Sequence, residues 1–131
     1  MEAILTRGLS RSFGSNHAVR DFTITVPEGE LFGLVGPDGA GKSTVMRLLA
    51  SILDPTAGEA FVAGFSTVRE AADVKRSIGY VSQRFGLYPD LTVAENIDFY
   101  ADLFGVSRSL RKTRGEELLK VIRRHAGPFG P

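Results

Sequence analysis

The stretch of this chain whose residue types and spacing can do chemistry is Gly36-Pro37-Asp38-Gly39-Ala40-Gly41-Lys42-Ser43-Thr44. The pattern Gly-x-x-x-x-Gly-Lys-Ser, met by Gly36, Gly41, Lys42 and Ser43, makes a phosphate-binding loop when it joins a strand to a helix. The phosphates of a nucleotide repel one another and must be surrounded by donors. Small residues at Gly39 and Gly41 let backbone N–H groups approach closely, and a helix N-terminus adds free N–H groups and a favourable dipole. Lys42 would set its ammonium on the outer phosphates, and Ser43 Oγ would hold a Mg²⁺ that keeps most of its own waters. Thr44 is placed to donate to the innermost phosphate. A chance match in a chain this long is roughly 0.4%, which leaves a ligand-free glycine turn as the minor alternative.

The elements around the loop are the ones it requires. Leu31-Phe32-Gly33-Leu34-Val35 is unbroken apolar sequence that reads as a central strand covered on both faces. Val45, Met46, Leu48, Leu49, Ile52 and Leu53 follow at helical spacing, and Asp54-Pro55 stops that helix. Upstream, Ala3 to Leu9 and Ala18 to Val26 read as strands around a turn at 12–16; Phe22, Ile24 and Val26 alternate with polar neighbours. Downstream, Glu59 to Ala63 is a short strand, Val68 to Arg76 has helical character, and Ile78 to Ser82 is a second buried strand ending at Gln83. Thr92-Val93-Ala94-Glu95 is a capping box opening a helix through Phe104, and Ser109 to Arg124 is a weaker basic helix.

The 131 residues carry 16 basic and 15 acidic side chains, 43% apolar residues, 15 glycines and no cysteine. Disulfides, thiolate catalysis and cysteine metal sites are excluded, and no apolar run approaches the roughly 18 residues of a membrane span. A cytoplasmic protein is the expectation. Charge is uneven: residues 1–104 hold 9 Lys/Arg against 13 Asp/Glu, residues 105–131 hold 7 against 2. A basic run on a helix is usually its solvated face, so nucleic acid is not the expected partner.

Together with Phe13-Gly14 upstream and Gly79-Tyr80-Val81-Ser82-Gln83 downstream, the loop resembles the ATP-binding subunit of ABC transporters. The stretch Phe-Gly-Leu-Tyr-Pro-Asp-Leu-Thr-Val-Ala-Glu-Asn-Ile at 85–97, then Tyr100-Ala101-Asp102-Leu103, is most similar to the multidrug, ABC-2 type exporters. The likeness runs from about Ile4 to Leu119. It implies an α/β fold of the P-loop NTPase type: the N-terminal part of an ABC nucleotide-binding domain, with a small antiparallel β-subdomain and an incomplete parallel core sheet. It implies ATP and Mg²⁺ as cofactors, held by Gly36, Pro37, Asp38, Gly39, Ala40, Gly41, Lys42, Ser43 and Thr44 of the Walker A loop. Phe13 matches the aromatic that stacks on adenine; by spacing alone it is equally a core or turn residue. Gln83 matches the Q-loop glutamine, a Mg²⁺ ligand with Ser43 and, with Lys42, part of the catalytic apparatus. Asp38 departs from the usual Asn, and an acid there should repel ATP unless it points at a partner subunit.

The resemblance also implies a second ATP-binding domain as dimer partner and a transmembrane permease subunit that docks on residues 84–104 at the inner face of the membrane. Phe85, Leu87 and Tyr88 are the exposed candidates there, with packing on their own helices as the alternative. His17 and His125 read as surface residues, and Asp90, Glu95, Asp98 and Asp102 as capping and solvation. After Gln83 the sequence holds no Leu-Ser-Gly-Gly signature, no apolar strand ending in Asp-Glu and no switch histidine. The expectation is therefore a truncated ATP-binding domain over residues 1–131, inactive as an ATPase and poorly stable alone. In the family, two later strands lie between 31–35 and 78–82. A stand-alone nucleotide-binding module without turnover and a non-transport ABC ATPase remain as alternative readings.

Overall fold

The computed structural model describes the backbone of residues 1–83 and 86–125, and side chains through residue 121. It divides into two units, one spanning Met1–Val81 and the other starting at Ser82.

In the first unit, two long strands form a hairpin: β1 (Glu2–Phe13) and β2 (Asn16–Pro27), joined by Gly14-Ser15, with Gly14 at φ 57°. Both strands run several residues beyond their predicted ends, because the tight turn lets Phe13 pair with Asn16. β3 (Ala57–Val62) pairs with the other edge of β1, and β4 (Phe65–Ser66) with β3, giving an antiparallel sheet in the order β2-β1-β3-β4. The β1–β2 register shifts between Thr6 and Leu9. There the fully buried Thr6 hydroxyl donates to Phe22 O (2.9 Å) and accepts from Ile24 N (2.9 Å), so no polar group is orphaned by the irregularity.

Helix α1 (Lys42–Leu49) lies on this sheet, its Val45, Leu48 and Leu49 buried in one cluster with Leu9, Val19, Ala60, Val62 and Val74. The predicted helix continued through Leu53. It ends earlier because Ser51 adopts φ 55° and the N–H groups of Ser51 and Ile52 turn back to Leu48 O and Arg47 O, a left-handed helix stop. Val74 belongs to the short α2 (Ala71–Ser77), inside the stretch predicted as helical.

The expectation of strands at 31–35 and 78–82 needs correction. Both segments are irregular, with Leu31 100%, Val35 92% and Val81 95% exposed. A strand is defined by a ladder, and neither segment joins a sheet among the described residues. Only Leu34 and Ile78 pack against the core cluster. The antiparallel sheet is thus present as expected, while no parallel pairing occurs among the described residues.

The second unit contains α3 (Val93–Leu103) and α4 (Arg108–His125). The capping box forms as read: Glu95 N donates to Thr92 Oγ1 (3.2 Å), while Thr92 N (2.8 Å) and Thr92 Oγ1 (2.7 Å) donate to Glu95 Oε2. These bonds, led by the hydroxyl of Thr92 and then its backbone N–H, hold the Glu95 carboxyl below its ordinary range. Arg111 of α4 donates to Asp102 and to Asp98 (2.8 Å) of α3, which raises its own pKa. Asp98 and Asp102 are therefore ion-paired and not merely solvated. Asn96 is buried, its Oδ1 accepting from Tyr88 N (2.9 Å) and the two hydrogens of its Nδ2 shared among the carbonyls of Tyr88, Leu91 and Thr92 (3.1 Å each), which fixes the chain entering α3.

A carboxyl with a lowered folded-state pKa stabilises above its unfolded value and loses that contribution as pH falls through the folded value. Acidification through that window should weaken amide protection in the first turn of α3. Glu95→Gln should remove this pH dependence, as hydrogen exchange across the acid range would show.

Candidate functional site

The candidate loop is built by local backbone geometry and held by the sheet. Gly39 and Gly41 take left-handed φ values of 79° and 88°. Gly41 is the N-cap of α1 and offers no capping side chain; its carbonyl accepts from Val45 N at 2.9 Å. A Cβ on Gly41 would lie 2.1 Å from Ala18 O, so β2 presses directly on the loop at the one residue that has no side chain. The loop is pinned on its other side by the burial of Val45, Leu48 and Leu49.

The consequence is a set of unused donors. The N–H groups of Gly39, Gly41, Lys42, Ser43 and Thr44 have no hydrogen-bond acceptor among the described residues. Unsatisfied N–H groups at a helix start, reinforced by its dipole, are complementary to an anion. Lys42 Nζ donates to Gly36 O and Pro37 O, both at 2.6 Å, so the ammonium is folded back over the loop that precedes it. Among the described residues Ser43 Oγ makes no hydrogen bond, and Asp38 is exposed without an ion-pair partner. This donor set suits a polyphosphate: several neutral donors, one mobile cation, and a hydroxyl oxygen of the hard type that Mg²⁺ prefers.

A recess of about 300 Å³ adjoins the loop, lined by Lys42 and Ala40 together with His17, Ala18 and Arg20 of β2. The sequence reading missed this wall, since nothing in the spacing of residues 17–20 links them to residue 42. His17 is exposed as anticipated, yet its Nδ1 lies 2.8 Å from Ser12 Oγ, a partner not foreseen. Phe13 ends β1 at the hairpin tip with 45% of its surface exposed, consistent with an available ring and not with a core residue. The Arg11 guanidinium carbon sits 4.6 Å from the Phe13 ring centroid. That pairing was legible in principle, because residues i and i+2 share one face of a strand.

Gln83 stands exposed in a bend near the start of the second unit. In that unit Leu87 (56%) and Tyr88 (49%) are exposed, as predicted, although the Tyr88 ring also meets Phe99 edge-on at 4.9 Å. Tyr88 is thus both exposed and packed on α3. Phe85 and the side chain of His125 lie outside the described residues.

The sequence model of the ABC transporter family matches residues 19–127. The chain belongs to the ABC transporter family. It is 43% identical over 131 residues to the probable multidrug ABC transporter ATP-binding protein YbhF of Escherichia coli (strain K12), covering 98% of this chain and 22% of that protein. It is 35% identical over 122 residues to the maltose/maltodextrin import ATP-binding protein MalK of Mannheimia succiniciproducens, covering 93% of this chain and 32% of that one. The dimeric structure of MJ0796, a bacterial ABC transporter cassette, superposes with a TM-score of 0.76 at 28% identity over 92% of this chain and 57% of that chain. The chain thus spans well under two thirds of the curated relatives it matches. The fold is that of the ABC cassettes, and the relatives include importers as well as multidrug proteins. No helix among the described residues is long and apolar enough to cross a membrane.

A side chain at Gly41 must displace Ala18 and adopt a left-handed backbone. Gly41→Ala should lower thermal stability and abolish phosphate binding together. Gly39→Ala, whose Cβ would meet nothing within 4 Å, should cost only the backbone strain of about 1–2 kcal/mol in a denaturation curve.

Proposed function

We propose that this ABC cassette segment binds Mg-ATP as part of the nucleotide-binding subunit of an exporter. The observation that carries the reading is the start of α1, where five N–H groups at residues 39 and 41–44 have no acceptor among the described residues. On this reading Gly36, Pro37, Asp38, Gly39, Ala40 and Gly41 wrap the phosphates with backbone groups. Lys42 exchanges the carbonyls of Gly36 and Pro37 for phosphate oxygens, and Thr44 donates its hydroxyl. Ser43 Oγ is the oxygen ligand assigned to Mg²⁺, which neutralises charge on the outer phosphates when bound, and Gln83 is given its Mg²⁺ role by the family resemblance alone. Asp38 lies in the exposed turn at 38–39, where solvent screens its repulsion of the nucleotide.

Phe13 supplies a stacking face for adenine, and its exposure at the hairpin tip supports this. The exporter reading draws its support from the 43% identity over 131 residues to a multidrug protein, against 40% over 114 residues to a sulfate/thiosulfate import protein. A second ATP-binding domain is proposed as partner on the likeness to a dimeric cassette. Exposed Leu87 and Tyr88 support a permease contact within 84–104, and on this reading the protein works at the cytoplasmic face of a membrane. The signature, the Asp-Glu strand end and the switch histidine that the family uses for hydrolysis do not occur in these 131 residues, so the activity proposed for them is binding.

Calorimetric titration tests the assignment. Lys42→Ala should weaken Mg-ATP roughly tenfold or more with an unchanged circular dichroism spectrum; unaltered affinity would sink the loop assignment. Phe13→Ala should weaken ATP by about 1–3 kcal/mol and leave inorganic phosphate binding as it was. Equal losses for both ligands would instead indicate misfolding.

A further inference from the structure

Arg11 takes no part in the phosphate loop, yet it is placed where the hairpin tip, the turn after α1 and Phe13 meet. Its Nη1 donates to Asp54 O at 2.8 Å, while its guanidinium carbon lies 4.6 Å from the centre of the Phe13 ring. Its Nε is buried and has no acceptor among the described residues. The turn that receives it is itself fastened to β1, because Thr56 donates to Ser10 O through both its N–H (2.8 Å) and its hydroxyl (3.1 Å). The cation is thus held on a rigid strut, and the ring beneath it gains a fixed partner on one face.

We propose that Arg11 is the positioning residue for base recognition: it backs one face of Phe13 and thereby presents the other face, pre-oriented, to an aromatic base. This rests on the stacking role proposed for Phe13. Phe13 ends a strand beside a two-residue turn and is 45% exposed, so without support its ring would sample several rotamers. Ordering it before binding removes an entropic cost that the nucleotide would otherwise meet. The guanidinium's attraction to the ring face supplies that order, and a cation on one side leaves the opposite face free for a π-partner. The strut acts on the base alone. The N–H groups and ammonium that face phosphate belong to residues 36–44, so polyphosphate binding should be indifferent to it.

The test compares two ligands, Mg-ATP and Mg-tripolyphosphate, on these 131 residues. Arg11→Gln should weaken Mg-ATP about two- to fivefold and leave tripolyphosphate unchanged, and in a Phe13→Ala background it should add nothing. The chain contains no tryptophan, so Phe13→Trp gives a single reporter whose emission ATP should quench and tripolyphosphate should not. Adding Arg11→Gln to that reporter should raise the ATP concentration at half-quenching by a similar factor. Parallel loss of both ligands would mean that Arg11 only braces the fold. Unchanged or tighter ATP binding would mean that the guanidinium is idle or competes with the base; either result overturns the proposal. If Phe13→Ala leaves the ratio of ATP to tripolyphosphate affinity untouched, the stacking reading itself falls, and this inference with it.

Discussion

A helix can offer its first N–H groups to a ligand only if something other than capping holds the helix still. Here that constraint is met by burial. Val45, Leu48 and Leu49 of α1 sit in the same cluster as Leu9, Val19 and Val62 of the sheet, and the loop backbone at Gly41 is pressed against Ala18 of β2. A serine or aspartate at the N-cap would have satisfied one of the free donors and stabilised the helix by roughly a few tenths of a kcal/mol relative to glycine. Glycine leaves those donors open, and packing replaces the missing cap. The cost is positional intolerance: the residue that frees the donors is also the one whose space β2 occupies.

The same economy of means governs the hairpin that borders the loop. Its register irregularity is absorbed by the Thr6 hydroxyl, which replaces ladder partners while remaining buried. Its outer end carries Phe13 and Arg11, exposed enough to meet a ligand and tied to the turn after α1 through Asp54 and Thr56. Sheet, loop and hairpin tip are therefore one mechanical object, in which the phosphate donors and the aromatic ring hang from the same strands.

The second unit is organised by polar ties more than by apolar burial. Among its described residues only Asn96 is buried, and its amide spans the carbonyls and N–H of the segment entering α3. Arg111 draws α4 to α3 through Asp98 and Asp102. Such ties fix direction and local shape while leaving apolar side chains such as Leu87, Leu103 and Phe104 outside. That combination fits a surface whose apolar residues have a use beyond the core.

Much of this was written in the sequence because the interactions concerned are local. The glycine pattern ahead of Lys42-Ser43 specifies left-handed turns and a helix start within nine residues, and the Thr92–Glu95 box closes over one helical turn; neither needs distant partners. The hairpin, too, follows from alternation around a Gly14 turn. What the sequence misjudged depended on pairing. The run Leu31 to Val35 has the composition of a buried strand, but composition supplies only the willingness to pair, and the structure gives it no ladder. Likewise, nothing in the spacing of His17, Ala18 and Arg20 announced that they would wall the recess beside Lys42. Asp98 and Asp102 read as solvated until α4 brought Arg111 to them. The sequence by itself determined the loop, its donors and its caps, since a few consecutive dihedral angles decide them. Only tertiary structure decided which side chains from elsewhere stand around that loop, because contacts between distant residues depend on how the whole chain packs.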